Sequence, residues 1–333
     1  MIRRIGLALA GLLILAPAAQ AAQTCTKEAP CVLRVRTVAP SASPWGELLR
    51  KLSAEIEAES GKRIEFKVYW QSKSEPSAVR QCLSGKVGGI AVSNGALASA
   101  VPELEATEMP FLFESYGEAD KALTAATDLI RDIMKKKGFI YALRGENGFR
   151  NFASVDGFIK TPGDLAGKTM RSQPATHHLD MYKALGATPS PIEVADVPTA
   201  LSSGMVSGYD NTLLFGDLAN WTEKVKYVTI SKHIYQGALV AWCKGWYDDL
   251  PADLQAVLVK PRPVIEQLGL KLVRIFNDKK MPEKYKAAGI QMVELSGGER
   301  AAFKSKTAEV WTKFRGRTSA DGKKLLDLLE KSK

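Results

Sequence analysis

The 333-residue chain has only three histidines and four cysteines. His177, His178 and His233 lie away from every cysteine, and there is no C-x-x-C pair, so zinc-ligand spacing is missing. G-x-S-x-G, a Walker loop and H-E-x-x-H are also missing, and Gly85, Gly88 and Gly89 do not make a dinucleotide fingerprint. Asp196 and Asp210 could in principle be a carboxylate pair, but Asp196 reads better as a helix N-terminal residue. Enzyme chemistry thus has no residues to carry it, and neither a cofactor nor a metal is expected. Beyond the N-terminal segment no apolar run approaches the roughly 18 residues of a membrane span. Internal repeats and low-complexity tracts are absent. The excess of 46 Lys and Arg over 36 Asp and Glu is spread along the chain, with Lys135, Lys136 and Lys137 the one tight run. No recognition-helix, RNA-binding or finger pattern accompanies it, which argues against nucleic acid. It reads as an ordinary basic surface that at most attracts small anions.

What is present begins with a targeting pattern. Arg3 and Arg4 precede an apolar run at 5–16, and Ala19, Gln20 and Ala21 form a small-x-small cleavage site. Residues 1–21 therefore read as a signal peptide, and the mature chain of about 312 residues is long enough for two domains. Cys25, Cys31, Cys82 and Cys243 remain, and an even number in an oxidising compartment suggests disulfides. Three pairings are possible. Cys25–Cys31 is locally the easiest, and Cys82–Cys243 would then join an early helix to a late strand.

Strands are predicted at 32–38, 63–69, 89–92, 138–143, 225–230 and 237–243, and helices at 46–60, 77–83 and 118–136. Phe111 and Phe113 read as core. The densest pattern runs from 164 to 211. A short basic strand ends at Arg171, a helix spans 176–185, and a proline-rich strand follows at 188–192. Val194, Val197, Leu201 and Met205 suggest a second helix, and Gly204 and Gly208 bracket a last strand that delivers Asp210 and Asn211. Strand–helix alternation implies a parallel sheet, and ligands bind at the carboxyl ends of such strands. Arg171 and Asn211 both fall there, and a guanidinium in that place can grip a carboxylate with two parallel bonds. By itself, one arginine in so basic a chain reads as solvated surface. His177 and His178 read as a solvated helix face, and His233 as a structural hydrogen-bonding residue near a hinge.

These segments resemble the periplasmic solute-binding proteins of tripartite ATP-independent (TRAP) transporters, the dicarboxylate-binding family. The resemblance rests on GKTMR at 167–171, KALGATPSPIEVADVPTAL at 183–201, GMVSGYDN at 204–211, MPFLF at 109–113, YVTISKH at 227–233 and WYDDLPADLQ at 246–255. It implies an α/β, two-domain periplasmic-binding-protein fold. Each domain would hold a mixed, mostly parallel sheet flanked by helices, with crossing hinge strands and a long helix along both domains. Pro261 and Pro263 should kink or split that helix. The implied division is 22–146 plus about 237–275 for domain I, and 147–236 plus about 276–333 for domain II.

By the same resemblance Arg171 grips a ligand carboxylate, Arg150 is the second arginine facing it, and Asn211 assists. Asp210 and Val194 complete the site. The sequence departs from the family in four places. Val194 stands where several members carry an aromatic platform, and Ser207 replaces an aspartate. Asp210 replaces a glutamate, and Gly88-Gly89 falls in a segment that usually carries an aspartate. Such a pocket suits an unusual, more apolar acid. The expected protein is a periplasmic monomer, not an enzyme. It captures a small carboxylate by domain closure and delivers it to an ion-gradient-driven TRAP membrane permease. The alternative is a ligand-binding component serving a sensor or efflux complex.

Overall fold

The computed structural model describes residues 23–333, so the predicted signal peptide at 1–21 lies outside the described residues. The nine strands among the described residues are β1 (Cys31–Thr37), β2 (Ile64–Tyr69), β3 (Gly89–Ser93), β4 (Phe139–Ser154), β5 (Thr169–Ser172), β6 (Thr188–Pro191), β7 (Gly208–Asn211), β8 (Tyr227–Cys243) and β9 (Gln291–Glu294). They form one continuous sheet in the order β2-β1-β3-β8-β4-β7-β5-β6, with β9 beside β8. The pairings β2-β1-β3 at one end and β7-β5-β6 at the other are parallel, as right-handed strand–helix–strand units require. The middle is antiparallel.

Strands β4 and β8 join the two halves. They hold 16 and 17 residues, about 50 Å of extended chain, which is longer than one small sheet needs. Residues 238–242 of β8 pair with β3, while residues 151–154 of β4 pair with β7. The two late strands predicted at 225–230 and 237–243 are thus one strand. The intervening Ser231–His233 stretch is polar, which masks the join in a hydrophobicity pattern. It sits at a break in the β4–β8 ladder, where Lys232 has φ 45 and gives its N–H to Asn151 Oδ1, and pairing with β4 resumes at Ile234. The β4–β8 register shifts three times, once between Glu146 and Gly148. Bulges of this kind re-aim a side chain. Gly148 has φ 100, a conformation that glycine adopts without strain, and Asn147 beside it is turned toward the central cleft.

A long helical rod follows β8. Helix Ala252–Val259 stops before Pro261, and Pro263 opens the next helix, Pro263–Ile275, so the prolines do split it. A π-turn at Phe276–Lys280 leads directly into Met281–Ala287, which carries Pro282. A proline there has no N–H to give the helix ladder, and the wider turn absorbs the defect. This rod packs on helix Pro44–Glu59 at one end and on Tyr209 and Leu213 at the other.

Three apolar clusters hold the layers together. One surrounds helix Tyr116–Lys136 and contains Phe111 and Phe113, both buried as core residues. A second packs Leu48, Leu52 and Ile56 against β1, Trp242 and Leu258. The third gathers Val197, Leu201, Tyr209 and Trp221. Gly88 and Gly89 have a packing reason: a Cβ on either would run into Trp246 or Trp242. The helix built on Val194, Val197, Leu201 and Met205 is shorter than its periodicity suggests. It spans Val197–Ser202, ends at Gly204 with φ 71, and leaves Met205 exposed. Cys25 pairs with Cys31, and Cys82 with Cys243, the latter tying helix Glu75–Leu83 to the end of β8.

Candidate ligand-binding cleft

The carboxyl ends of β1, β3, β5 and β7 all point at one cleft between the two halves of the sheet. β1 runs out at Thr37 into the Pro/Ser loop and Trp45. β3 ends at Ser93, β5 at Ser172 and β7 at Asn211. Two adjoining chambers fill the cleft and share Glu75, Asn147 and Phe215 as common walls. One is largely apolar, with Val38, Pro40, Trp45, Leu218 and Val273. The other is polar and contains Arg171, Gln173, Glu193, Val194, Asn211 and Gln236.

Arg171 is the penultimate residue of β5, between β6 and β7, and is 2% exposed. Its Nε donates to the Ile192 carbonyl at 2.9 Å, and its guanidinium lies 4.7 Å from the centre of the Trp221 ring. Among the described residues no carboxylate lies within ion-pair distance of it. Burial, and then the charge of Arg150, lower its pKa to about 10. A guanidinium is therefore placed in a wall of the cleft with its positive charge unanswered, an arrangement that costs free energy until an anion arrives.

Arg150 is placed differently. It is fully buried, and its Nε donates to Asp210 Oδ2 at 2.5 Å while Nη2 donates to the Asp210 carbonyl. Nη1 donates to Gln173 Oε1 at 3.2 Å. Asp210 also accepts from Tyr182 Oη at 2.8 Å and faces His233 Nε2 at 3.3 Å. Burial alone would raise the Asp210 pKa, but Arg150 and His233 outweigh it and hold this carboxyl well below the ordinary range. Of the five residues predicted for the site, Arg171, Asn211 and Val194 line the cleft. Arg150 and Asp210 form an ion pair behind it. Their route to the cleft is Gln173, whose Nε2 donates to Ser93 Oγ at 3.0 Å and whose Oε1 accepts from Gln236 at 2.7 Å.

His177 and His178 overturn the reading of a solvated helix face. Both are fully buried, with Nε2 atoms 3.3 and 3.0 Å from Glu108 Oε2. Burial would raise the Glu108 pKa, but the two imidazoles bring it down to about 2, and burial beside His177 and Arg150 takes His178 to about 3. His177, His178, Met181 and Tyr182 are the buried residues of helix Thr176–Ala184, spaced i, i+1, i+4, i+5. That spacing puts both imidazoles on the same face as Met181 and Tyr182, a signal available in the sequence. His233 is a structural residue as expected, stacked 4.2 Å from Phe152 and bonded to Ser231 Oγ at 2.7 Å.

The sequence reading missed Glu75, Gln173 and Glu193. Glu75 follows the N-cap Ser74 at the start of helix Glu75–Leu83, and its two oxygens accept from Ser93 N and Ser93 Oγ, each at 2.8 Å. Burial raises its pKa. Such a glutamate looks like ordinary helix-start chemistry in one dimension.

Comparison with known proteins agrees with this architecture. A solute-binding protein of Verminephrobacter eiseniae is 28% identical over 70% of this chain and 71% of its own length. The C4-dicarboxylate-binding periplasmic protein DctP of Rhodobacter capsulatus is 25% identical over 88% of this chain and 89% of its own. A TRAP periplasmic solute-binding protein of Roseobacter denitrificans, solved with bound β-D-glucuronate, superposes with a TM-score of 0.85 at 20% identity. That match covers 91% of this chain and all of that one, and shows the common fold. The profile of bacterial extracellular solute-binding protein, family 7 (DctP), matches residues 35–317, and the chain belongs to that family.

Proposed function

We propose that this protein binds a small organic acid in the cleft between its two half-sheets, with Arg171 taking the ligand carboxylate. The observation that carries the proposal is the buried Arg171 guanidinium without a carboxylate partner, at the strand ends where ligands of α/β proteins sit. Asn211 and Gln173 supply neutral hydrogen-bonding groups beside it, and Arg150 acts through Gln173. The segment 22–146 with about 237–275 would close against 147–236 with about 276–333 around β4 and β8, excluding water and strengthening the ion pair. Membership of the family supports export to the periplasm and delivery of the ligand to a TRAP permease. The R. capsulatus relative is named for C4-dicarboxylates and the R. denitrificans structure holds glucuronate, so dicarboxylates and sugar acids belong in the first screen.

The test is a thermal-shift screen of organic acids on wild-type protein and on Arg171→Lys, since a ligand that binds only the folded state raises its melting temperature. One or more acids should stabilise the wild type and lose most of that effect in the variant, because an ammonium cannot reproduce the two-pronged grip. No stabilisation by any acid, or equal stabilisation of the variant, overturns the reading.

A further inference from the structure

The polar chamber holds more negative than positive charge. Glu75 and Glu193 line it together with its one cation, Arg171. Each carboxylate lacks a Lys or Arg partner within ion-pair distance among the described residues. Glu75 is pinned by Ser93, whose N–H and hydroxyl occupy one site on each carboxylate oxygen. A carboxylate offers about four acceptor sites, so about two on Glu75 remain free. The Glu193 carboxylate takes no hydrogen bond from the described residues. A simple carboxylate ligand would answer Arg171 but add a third negative charge to a chamber already holding two. A dicarboxylate would add a fourth.

Resting on the reading that Arg171 takes a carboxylate, we infer that the ligand is zwitterionic: it carries a cationic nitrogen for Glu75 and Glu193 as well as the acid for Arg171. Glu75 belongs to both chambers, so it places that nitrogen where they meet. From that point the carbon skeleton enters the apolar chamber, against Val38, Pro40, Trp45, Leu218 and Val273. The ligand class is thus an amino-acid-like or amidine-bearing acid with an apolar body. Burial raises the Glu75 pKa, and a cation beside it would counter that rise and favour the carboxylate form.

Titration calorimetry on matched trios separates the possibilities. Each trio keeps a common body and varies one substituent: 5-aminovalerate, valerate and glutarate; phenylalanine, 3-phenylpropionate and benzylmalonate. In at least one trio the amino member should bind about tenfold or more tightly than the other two. Glu75→Gln should remove that preference by weakening the amino member and strengthening the unaminated acid, since one of the two opposing negative charges is gone. Glu193→Gln, on a half-buried position that tolerates the change, should do so to a smaller extent. Arg171→Lys should weaken all members. The inference fails if the unaminated acid or the diacid binds as tightly as the amino member in both trios, with the Arg171 dependence intact. It also fails if the preference survives both glutamine substitutions. Loss of binding for every member, together with an empty thermal-shift screen, removes the carboxylate reading itself, a distinct result.

Discussion

Arg150 and Asp210 face each other across the β4–β7 pairing with Nε 2.5 Å from Oδ2 and neither side chain exposed. Tyr182 and His233 bind the same carboxylate, so both charges are satisfied without a ligand. Arg171, 21 residues further on, has one backbone carbonyl and an indole face. The two arginines share burial and differ in their partners, and this predicts opposite consequences for their loss.

Arg150→Met strands a buried aspartate. Breaking such a pair from one side costs about 3–5 kcal/mol, so the urea midpoint of the ligand-free protein should fall steeply. An unchanged midpoint would show that water or another cation takes the place of the guanidinium.

Arg171→Met removes an unpaired buried charge and keeps most of the side-chain volume. The ligand-free protein should unfold at the same urea concentration or a higher one, while stabilisation by acids disappears. The ligand-facing role is refuted if this variant is destabilised as much as Arg150→Met and still responds to acids.

The cluster of Glu108, His177 and His178 predicts acid sensitivity. His178 falls from 6.5 to about 3 in the folded protein and Glu108 from 4.5 to about 2. Both folded values lie below the unfolded ones, so each stabilising contribution is complete above the unfolded pKa and is lost as pH falls toward the folded one. His178 acts first, from pH 6.5 downward, and Glu108 joins below 4.5. Each proton taken up preferentially by the unfolded chain costs about 1.4 kcal/mol per pH unit. Denaturation at about pH 7 and about pH 5 should show wild-type stability falling, and His178→Gln should flatten that fall. The same slope in both proteins would mean that other groups govern it.

The disulfides should differ in weight. Cys25–Cys31 spans 6 residues of sequence and Cys82–Cys243 spans 161. In the chain-entropy account these correspond to about 2 and about 5 kcal/mol. The double substitution Cys82→Ala, Cys243→Ala should therefore lower the melting temperature more than Cys25→Ala, Cys31→Ala. Peptide mapping without reduction should recover both linked fragments from exported protein, and four free thiols would contradict the pairing.

The targeting pattern read at 1–21 predicts a mature N-terminus at Ala22. Sequencing of the chain from a periplasmic fraction checks this, and a chain that keeps Met1 and sediments with membranes overturns it.

Much of the site was legible because strand ends and ligand sites coincide. Lys168 to Arg171 reads as a short basic strand, and a strand end is where β5 places Arg171. Asn211 follows from the same logic at the end of β7. Glu75 was not legible, because a glutamate after an N-cap serine has a sufficient local explanation. His177 and His178 were misread because a histidine carries no hydrophobic signal, although their spacing with Met181 and Tyr182 marks the buried face. The polar residues Ser231, Lys232 and His233 hid the continuity of β8, since that stretch sits at a break in the β4–β8 ladder where the Asn151 side chain, and no alternating apolar pattern, holds the Lys232 N–H.

The sequence by itself determined the alternating strand–helix order, the even set of cysteines, the break at Pro261 and Pro263, and the basic residue at the end of β5. These are local facts, set by backbone preference, side-chain period and the missing proline N–H. Only the tertiary structure decided which charges were answered. Asp210 follows β4 by more than fifty residues, and sheet pairing brings it to Arg150 rather than to Arg171. Glu75, Glu193 and Arg171 come from three separate segments and share one wall only because two half-sheets meet there. Ion pairing depends on separation in space and on the exclusion of water, and neither is written in the spacing of residues along a chain.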